Sequence, residues 1–504
     1  MFNKIKRNSI YLVAVFMAAF ICFSGQKVLA EGTFAPDAEG IYHINSLEDW
    51  DAFFETLGTG ENFKEKTVCL ETDLSIKAKT YENNTNLKFK GVFDGKGHKI
   101  TYSNDNMTRD TALFPISIRS STIKNLEVFA KDCILDAKEK FRTEGCILNG
   151  YGGSSSEQLT FENIKIYGDI KVILDPSNHN NINCGGMVTG KSKVKNCVAK
   201  VNYTIDEESL DAFLQNTEQR KASIVLGQFG YQPSASGVQY ENCYALGECS
   251  ESVLTAAKKL SDYYSKLEEN SSSNYMLVAA FVGGRSTSTQ EDCFYVKDKA
   301  NVACNEEVAV GLKTFFFADE SMEKTIEELK NQDTFISYDL VDTWGMSEYI
   351  NDGYPYLKAL VNEDLVNIVN GIAALPDADK LTLKDKETVT NLKKAFDALS
   401  EDDKADISYD LLNEKLTNAK ETVDTLEKQE EERKKKEEEE KKKQEEERKK
   451  KEEERKRKEA TKKGKKFSLK GYKYTITTAS QKNPTVTITG YKNKNLKKIS
   501  VPET

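Results

Sequence analysis

Histidine is nearly absent from this chain: 504 residues contain three, His43, His98 and His179. No His-x-x-x-His pair and no Cys-x-x-Cys pair occurs, so the sequence writes no zinc site. No Ser-His-Asp arrangement has support. Cysteine is present but unorganised. Beyond an N-terminal apolar run that holds Cys22, nine remain, at positions 69, 133, 146, 184, 197, 243, 249, 293 and 304. That number is odd and the spacing is irregular, which does not describe a disulfide framework. After residue 30 no apolar run is long enough to span a bilayer. Excess positive charge is missing too: the net charge is −9, and a nucleic-acid partner is not expected. No cofactor, metal ligand or catalytic residue is named by any motif.

What the chain does have is one returning phrase, roughly apolar-x-Asn-apolar-x-apolar, five times between residues 123 and 296. It reads Ile123-Lys124-Asn125-Leu126-Glu127-Val128, then Phe161-Glu162-Asn163-Ile164-Lys165-Ile166. It returns as Val194-Lys195-Asn196-Cys197-Val198-Ala199 and Tyr240-Glu241-Asn242-Cys243-Tyr244-Ala245, and ends as Gln290-Glu291-Asp292-Cys293-Phe294-Tyr295. Such alternation makes a strand with one buried face, and one strand cannot bury that face alone. Before each phrase lies a strand of small and apolar residues: Ala112-Leu113-Phe114, Gly145–Leu148, Gly185–Val188, Ser223–Gly227 and Ala279–Gly284. Recurrence at irregular intervals predicts a stacked solenoid with insertions. Asn tolerates left-handed corners, and stacked Asn side chains can bond along the coil axis. Cys197, Cys243 and Cys293 share one repeat position with Leu126 and Ile164, where Cys serves as a small buried hydrophobe.

The repeats, together with Phe89-Lys90-Gly91-Val92-Phe93-Asp94-Gly95-Lys96-Gly97-His98-Lys99-Ile100, resemble the right-handed parallel β-helix surface proteins of Gram-positive gut bacteria that carry the GLUG motif. The resemblance covers about residues 40–300. Trp344 followed by Asn351-Asp352-Gly353-Tyr354-Pro355-Tyr356-Leu357 resembles the closing phrase of the same proteins, and implies a structural cap rather than a site. In this reading Asp94 holds a turn and His98 is structural.

The expected organisation is mainly β. Residues 1–30 form a secretory signal peptide, with Lys4, Lys6 and Arg7 before the apolar run and cleavage after Ala30; the bland alternative is a retained anchor. Residues 31–88 form an N-terminal cap, with a helix from Ser46 to Leu57 that turns Trp50, Phe53, Phe54 and Leu57 to one side. Residues 89–306 are the β-helix, with helical insertions at Glu207–Ala222 and Glu251–Glu269 and further insertions at 129–144 and 169–183. Residues 307–360 close it, and 361–426 form a three-helix spacer striped by Leu365, Val369, Val389, Phe396, Leu412 and Leu416. Residues 427–464 hold little but Glu, Lys and Arg, with no apolar heptad, so a solvated single helix or a charged linker is expected rather than a coiled coil. Residues 465–504 return to strand alternation as a small β repeat, which the closing phrase Val501-Pro502-Glu503-Thr504 likens to repeats of gut bacterial surface proteins and marks as incomplete. No LPxTG-type sorting signal is present, so covalent attachment to a cell wall is not expected.

The expected function is adhesion or binding without catalysis, by a secreted or cell-surface protein. The partner would be a host or environmental glycan or a matrix protein, met on the solenoid side. The basic tail (Lys462, Lys463, Lys465, Lys466, Lys470, Lys473) is expected to attract anionic cell-wall polymers. A β-helix lyase or hydrolase acting on polysaccharide is the alternative, and a structural spacer the third. An acidic cluster on one solenoid face would favour the enzyme. An exposed aromatic patch, with Tyr263 and Tyr264 as nominees, would favour binding.

Overall fold

The computed structural model describes residues 34–81, 87–115, 117–118, 120–138, 142–149, 159–177, 180–187, 192–215, 222–232, 238–247, 249–266, 275–279, 282–284, 289–297, 302–304, 320–460, 462–478 and 485–492. The expected signal peptide, His179 and the closing phrase at 497–504 lie outside the described residues. The chain forms two compact units: Met1–Asn370 with Leu399–Leu412, and Gly371–Ala398 with Asn413–Thr504.

The alternating phrases become parallel strands of a 13-stranded sheet. Its order follows the chain: Ile41–Ile44, Thr67–Leu70, Val92–Asp94, Thr122–Asp136, Leu159–Ile173, Ser192–Ile205, Tyr244–Ala245, Phe294–Val296, Glu323–Lys324. A second sheet repeats the chain order with Arg142–Cys146, Asn180–Gly185, Ala222–Gly227 and Tyr275–Ala279, which Val302–Cys304 closes antiparallel. Of the expected small-residue strands only Ser223–Gly227 lies wholly within it; Gly145–Leu148, Gly185–Val188 and Ala279–Gly284 meet its strands only at their ends, and Ala112-Leu113-Phe114 lies outside it. Register stacks like on like. Phe93, Ile123, Phe161, Val194 and Tyr240 form one buried row, and Leu126, Ile164 and Cys197 another. Each fully buried Leu, Ile or Phe contributes roughly 1.5–3 kcal/mol.

The Asn of each phrase is the corner. Asn125, Asn163, Asn196 and Asn242 have φ of 53, 54, 51 and 52°, and Asp292 has 50°. Their amides form a ladder: Asn125 donates to Asp94 (3.0 Å), Asn163 to Asn125 (2.9 Å), Asn196 to Asn163 (3.2 Å) and Asn242 to Asn196 (3.5 Å). Asp94 also accepts from the Lys96 backbone N–H at 3.0 Å, so it holds its turn and starts the ladder.

Several expectations change. The stretches 129–144 and 169–183 are not simple insertions, because the strands Thr122–Asp136 and Leu159–Ile173 run on into them. Second corners at Asp132 (φ 53°) and Gly168 (φ 128°) let each continue beyond the first bend. The first helical insertion is Glu207–Gln215, shorter than expected, and Ala222 already belongs to the next strand. The second is Glu251–Tyr264, capped by Ser250. The N-terminal helix is Leu47–Gly58, with Ser46 accepting from the Asp49 N–H and Trp50, Phe53, Phe54 and Leu57 buried.

The fold is mixed rather than mainly β, because helix extends far beyond the spacer. Leu365, Val369 and Ile372 on Glu363–Ala373, and Val389 and Phe396 on Lys386–Asp397, are buried. The third stripe and the charged run are one helix of 52 residues, Tyr409–Ala460. At 1.5 Å per residue it is about 80 Å long. The chain then forms an antiparallel three-stranded sheet, Lys466–Leu469, Tyr472–Thr478 and Thr485–Tyr491. Lys470 and Gly471, with φ of 48 and 89°, make its first two-residue turn. Among the described residues no helix is long and apolar enough to cross a membrane.

Candidate functional site

One outward-facing row of the large sheet changes character along the stack. Register aligns Lys99 with Glu127, Glu127 with Lys165, Lys165 with Val198, Val198 with Tyr244, and Tyr244 with Phe294. The first three are charged and the last three apolar. Strand pairing dictates the alignment; the segment that follows the sheet decides its consequence. Leu329, Phe335, Tyr338, Trp344 and Leu357 pack over Val198, Tyr244 and Val296. The closing Asn-Asp-Gly-Tyr-Pro phrase fastens this cover, as the Tyr244 hydroxyl donates to the Pro355 carbonyl and Asn351 Nδ2 donates to the same oxygen at 3.0 Å. The apolar half is thus sealed, and the charged half is left as a depression.

Two sizeable cavities and a small one between them lie along that depression. The larger, about 370 Å³, is bounded by Asp73, Lys96, His98, Lys99 and Glu127 from the sheet side and by 359–362, Leu365, Asp402, Asp403 and Asp406 opposite. The smaller, about 180 Å³, is bounded by Lys165, Tyr167, Val198, Lys200, Leu246, Asn351, Asp352, Tyr354, Ala405 and Asp406. The closing phrase, expected to be structural only, therefore also lines a cavity.

Between them runs an ionic network. Lys99 pairs with Asp402 at 2.8 Å, and Lys165 lies 3.6 Å from Glu127 and 3.7 Å from Asp406. The Tyr167 hydroxyl donates to Glu127 at 2.7 Å. The Asp402 pairing raises the Lys99 pKa despite the opposing pull of burial. Asp406 is still 42% exposed. Even so, loss of hydration against the surrounding wall raises its pKa, Glu127 adds to the rise, and Lys165 and Lys99 oppose it. Asp403 is committed locally, accepting from the Ser400 hydroxyl at 2.6 Å in the cap of Glu401–Ala405. His98 Nδ1 lies 3.0 Å from Asp73, whose carboxylate also accepts the Lys99 N–H at 2.9 Å.

The aromatic patch is not where the sequence nominated it. Tyr264 is fully buried and Tyr263 packs against the same core, because both sit on the inward side of the Glu251–Tyr264 helix. Phe129 and Tyr167, half-buried as Tyr263 is, stack at 4.9 Å and 20° on the charged half of the outward face. Lys165 Nζ lies 4.9 Å from the Tyr167 ring centre, and Lys330 Nζ 4.8 Å from that of Tyr354. In sequence the signal was the residue directly after each apolar-Glu/Lys-apolar triplet, and Phe129 was hidden because 129–144 was expected to be an insertion.

Most of the described cysteines are core residues. Cys133, Cys146, Cys184, Cys197, Cys243 and Cys293 are buried thiols. Burial pushes the Cys133 and Cys146 thiols up to about 12, far from the reactive thiolate range. Among the described residues no group of three or more His, Cys, Asp or Glu is placed to hold a metal ion.

No protein-family model matches the chain, and no curated protein matches it. Among solved structures it is similar to a Bacteroides ovatus protein described as a "putative immunoglobulin A1 protease". That likeness has 12% identity and a TM-score of 0.35, over 65% of this chain and 95% of that one, and is too slight to bear on function.

Proposed function

We propose that this chain is a secreted or cell-surface binding protein. Its head is a right-handed parallel β-helix of the GLUG type, carried on a three-helix spacer and a charged helical stalk, with a small β repeat at the end. Support for the β-helix comes from two largely parallel sheets that share one strand order and from the Asn corners that bend the strands of the larger one. The observation behind binding is the half-buried Tyr167, stacked on Phe129, in the wall of an open cavity on a face whose neighbouring half is sealed. An aromatic surface kept beside polar groups, rather than covered, is how recognition sites are built. The partner is a glycan or a matrix protein.

A second reading is favoured by Glu127 and Asp406 meeting one lysine, with the Asp406 pKa raised. A β-helix polysaccharide hydrolase or lyase needs such a proton donor or acceptor. It is the weaker reading because Glu127 already accepts from Tyr167 and Asp402 is paired with Lys99.

The test is retention of the purified protein on immobilised mucin, pectin, cellulose and collagen, with the soluble phase assayed for shortened chains. Retention without cleavage is expected. Shortened chains that vanish in Asp406→Asn would establish the enzyme instead. Neither retention nor cleavage would leave a structural spacer as the better account.

A further inference from the structure

The smaller of the two sizeable cavities has a more specific chemistry than binding in general. We infer that it is a subsite for a single pyranose ring of a glycan, with the Tyr167 ring in its wall and hydroxyl partners supplied by Asp352, Asp406, Asn351 and Lys200. The inference rests on the binding function proposed above.

Size comes first. At about 180 Å³ the cavity falls below the roughly 300–1,000 Å³ of sites that take drug-sized molecules. One sugar ring suits it; a peptide strand or a stacked base pair does not.

Rigidity comes second. The Tyr167 ring is stacked on Phe129, and its hydroxyl is tied to Glu127. Both rotations of the side chain are therefore fixed before any ligand arrives, which lowers the entropy cost of binding. A flat preset ring suits the C–H face of a pyranose.

The polar groups come third. Asp352 and Lys200 are exposed at the rim, and Asp406 is part-exposed within. Asn351 spends its amide hydrogens on Tyr244 and Pro355, which leaves its carbonyl oxygen as an acceptor. Sugar hydroxyls both donate and accept, so a wall that alternates carboxylates, an amide oxygen and ammonium groups can satisfy them.

The alternatives fit less well. A quaternary or alkylated ammonium ligand would meet like charge, because the Lys165 and Lys330 ammonium groups already stand near the Tyr167 and Tyr354 rings. A phosphate backbone would meet Asp352 and Asp406.

The experiment uses the full chain on mucin, cellulose and pectin supports, each with a periodate-oxidised twin, and on collagen. Periodate opens sugar rings at vicinal diols and leaves the support in place. The expected result is retention on at least one glycan support and loss on its oxidised twin. Tyr167→Ala should weaken that retention tenfold or more, and Lys200→Ala and Asp352→Asn severalfold each. Lys200 is exposed, so its variant tests the site without threatening the fold, and Asn keeps the left-handed backbone that residue 352 adopts (φ 55°). Leu254→Ser, on the exposed face of the second helical insertion, should bind as the parent does. Retention that survives oxidation, occurs on collagen alone, or ignores all three substitutions would overturn the sugar subsite and leave the binding function standing. No retention on any support would overturn both.

Discussion

At Asn163 two demands meet in one side chain. The backbone there has φ 54°, which costs an ordinary residue about 1–2 kcal/mol. The side chain donates to Asn125 and accepts from Asn196. Each such bond contributes about 0.5–1.5 kcal/mol, and leaving a buried partner unsatisfied costs more. Asn163→Gly should therefore lose only the ladder, whereas Asn163→Ala loses the ladder and strains the corner. Denaturant unfolding should place the Ala variant about 1–2 kcal/mol below the Gly variant; equal stabilities would mean that the corner is not strained. The periodic Asn was plain in the sequence, and so was its role, since few residues tolerate that backbone.

His43 offers a second residue-scale test. Its ring lies 2.9 Å from Asp37 and 2.7 Å from Glu71. The Asp37 contact raises its pKa most, and Glu71 adds to the rise. A group whose folded pKa is raised stabilises the fold fully below its unfolded pKa, near 6.5, and loses that contribution as pH climbs through the folded value. His43→Ala should lower the melting temperature more at pH 5.5 than at pH 8.5. A penalty independent of pH would show that the contact acts through packing alone.

At the scale of elements, the long helix is the clearest case of sequence deciding structure. From residue 431 to 460 every residue is exposed. Support comes from pairs along one helix: Glu438–Lys442 (2.7 Å), Glu445–Lys449 (2.8 Å), Glu447–Lys451 (2.5 Å), Glu452–Lys456 (2.9 Å) and Glu454–Lys458 (2.7 Å). All have Glu four residues before Lys, the favourable order, at about 0.2–0.5 kcal/mol each. A peptide spanning 428–460 should be largely helical in dilute buffer and lose helicity in molar salt, by circular dichroism. Insensitivity to salt would remove the ion pairs as its cause. Alternation likewise announced the strands, but not their length, because the second corners at Asp132 and Gly168 carry no repeating signature.

At the scale of the whole molecule, Trp344 is fully buried over the apolar half of the outward row. Trp344→Ala should cost about 3–5 kcal/mol. It should also expose Val198 and Tyr244, read as increased binding of a hydrophobic dye. A small cost with no added dye binding would mean that the cover is not held by this cluster.

The sequence by itself determined the strands, their order, the Asn corners, the helical stripes and the solvated stalk. Each follows from local periodicity or from a backbone preference that one residue carries. The tertiary structure alone decided the site. Lys99, Glu127 and Lys165 become neighbours through strand register across gaps of 28 and 38 residues. Asp406 and Asn351 join them from segments more than 150 residues further on. No periodicity links such positions, because what brings them together is the burial of Val198 and Tyr244 beneath a segment that follows the sheet.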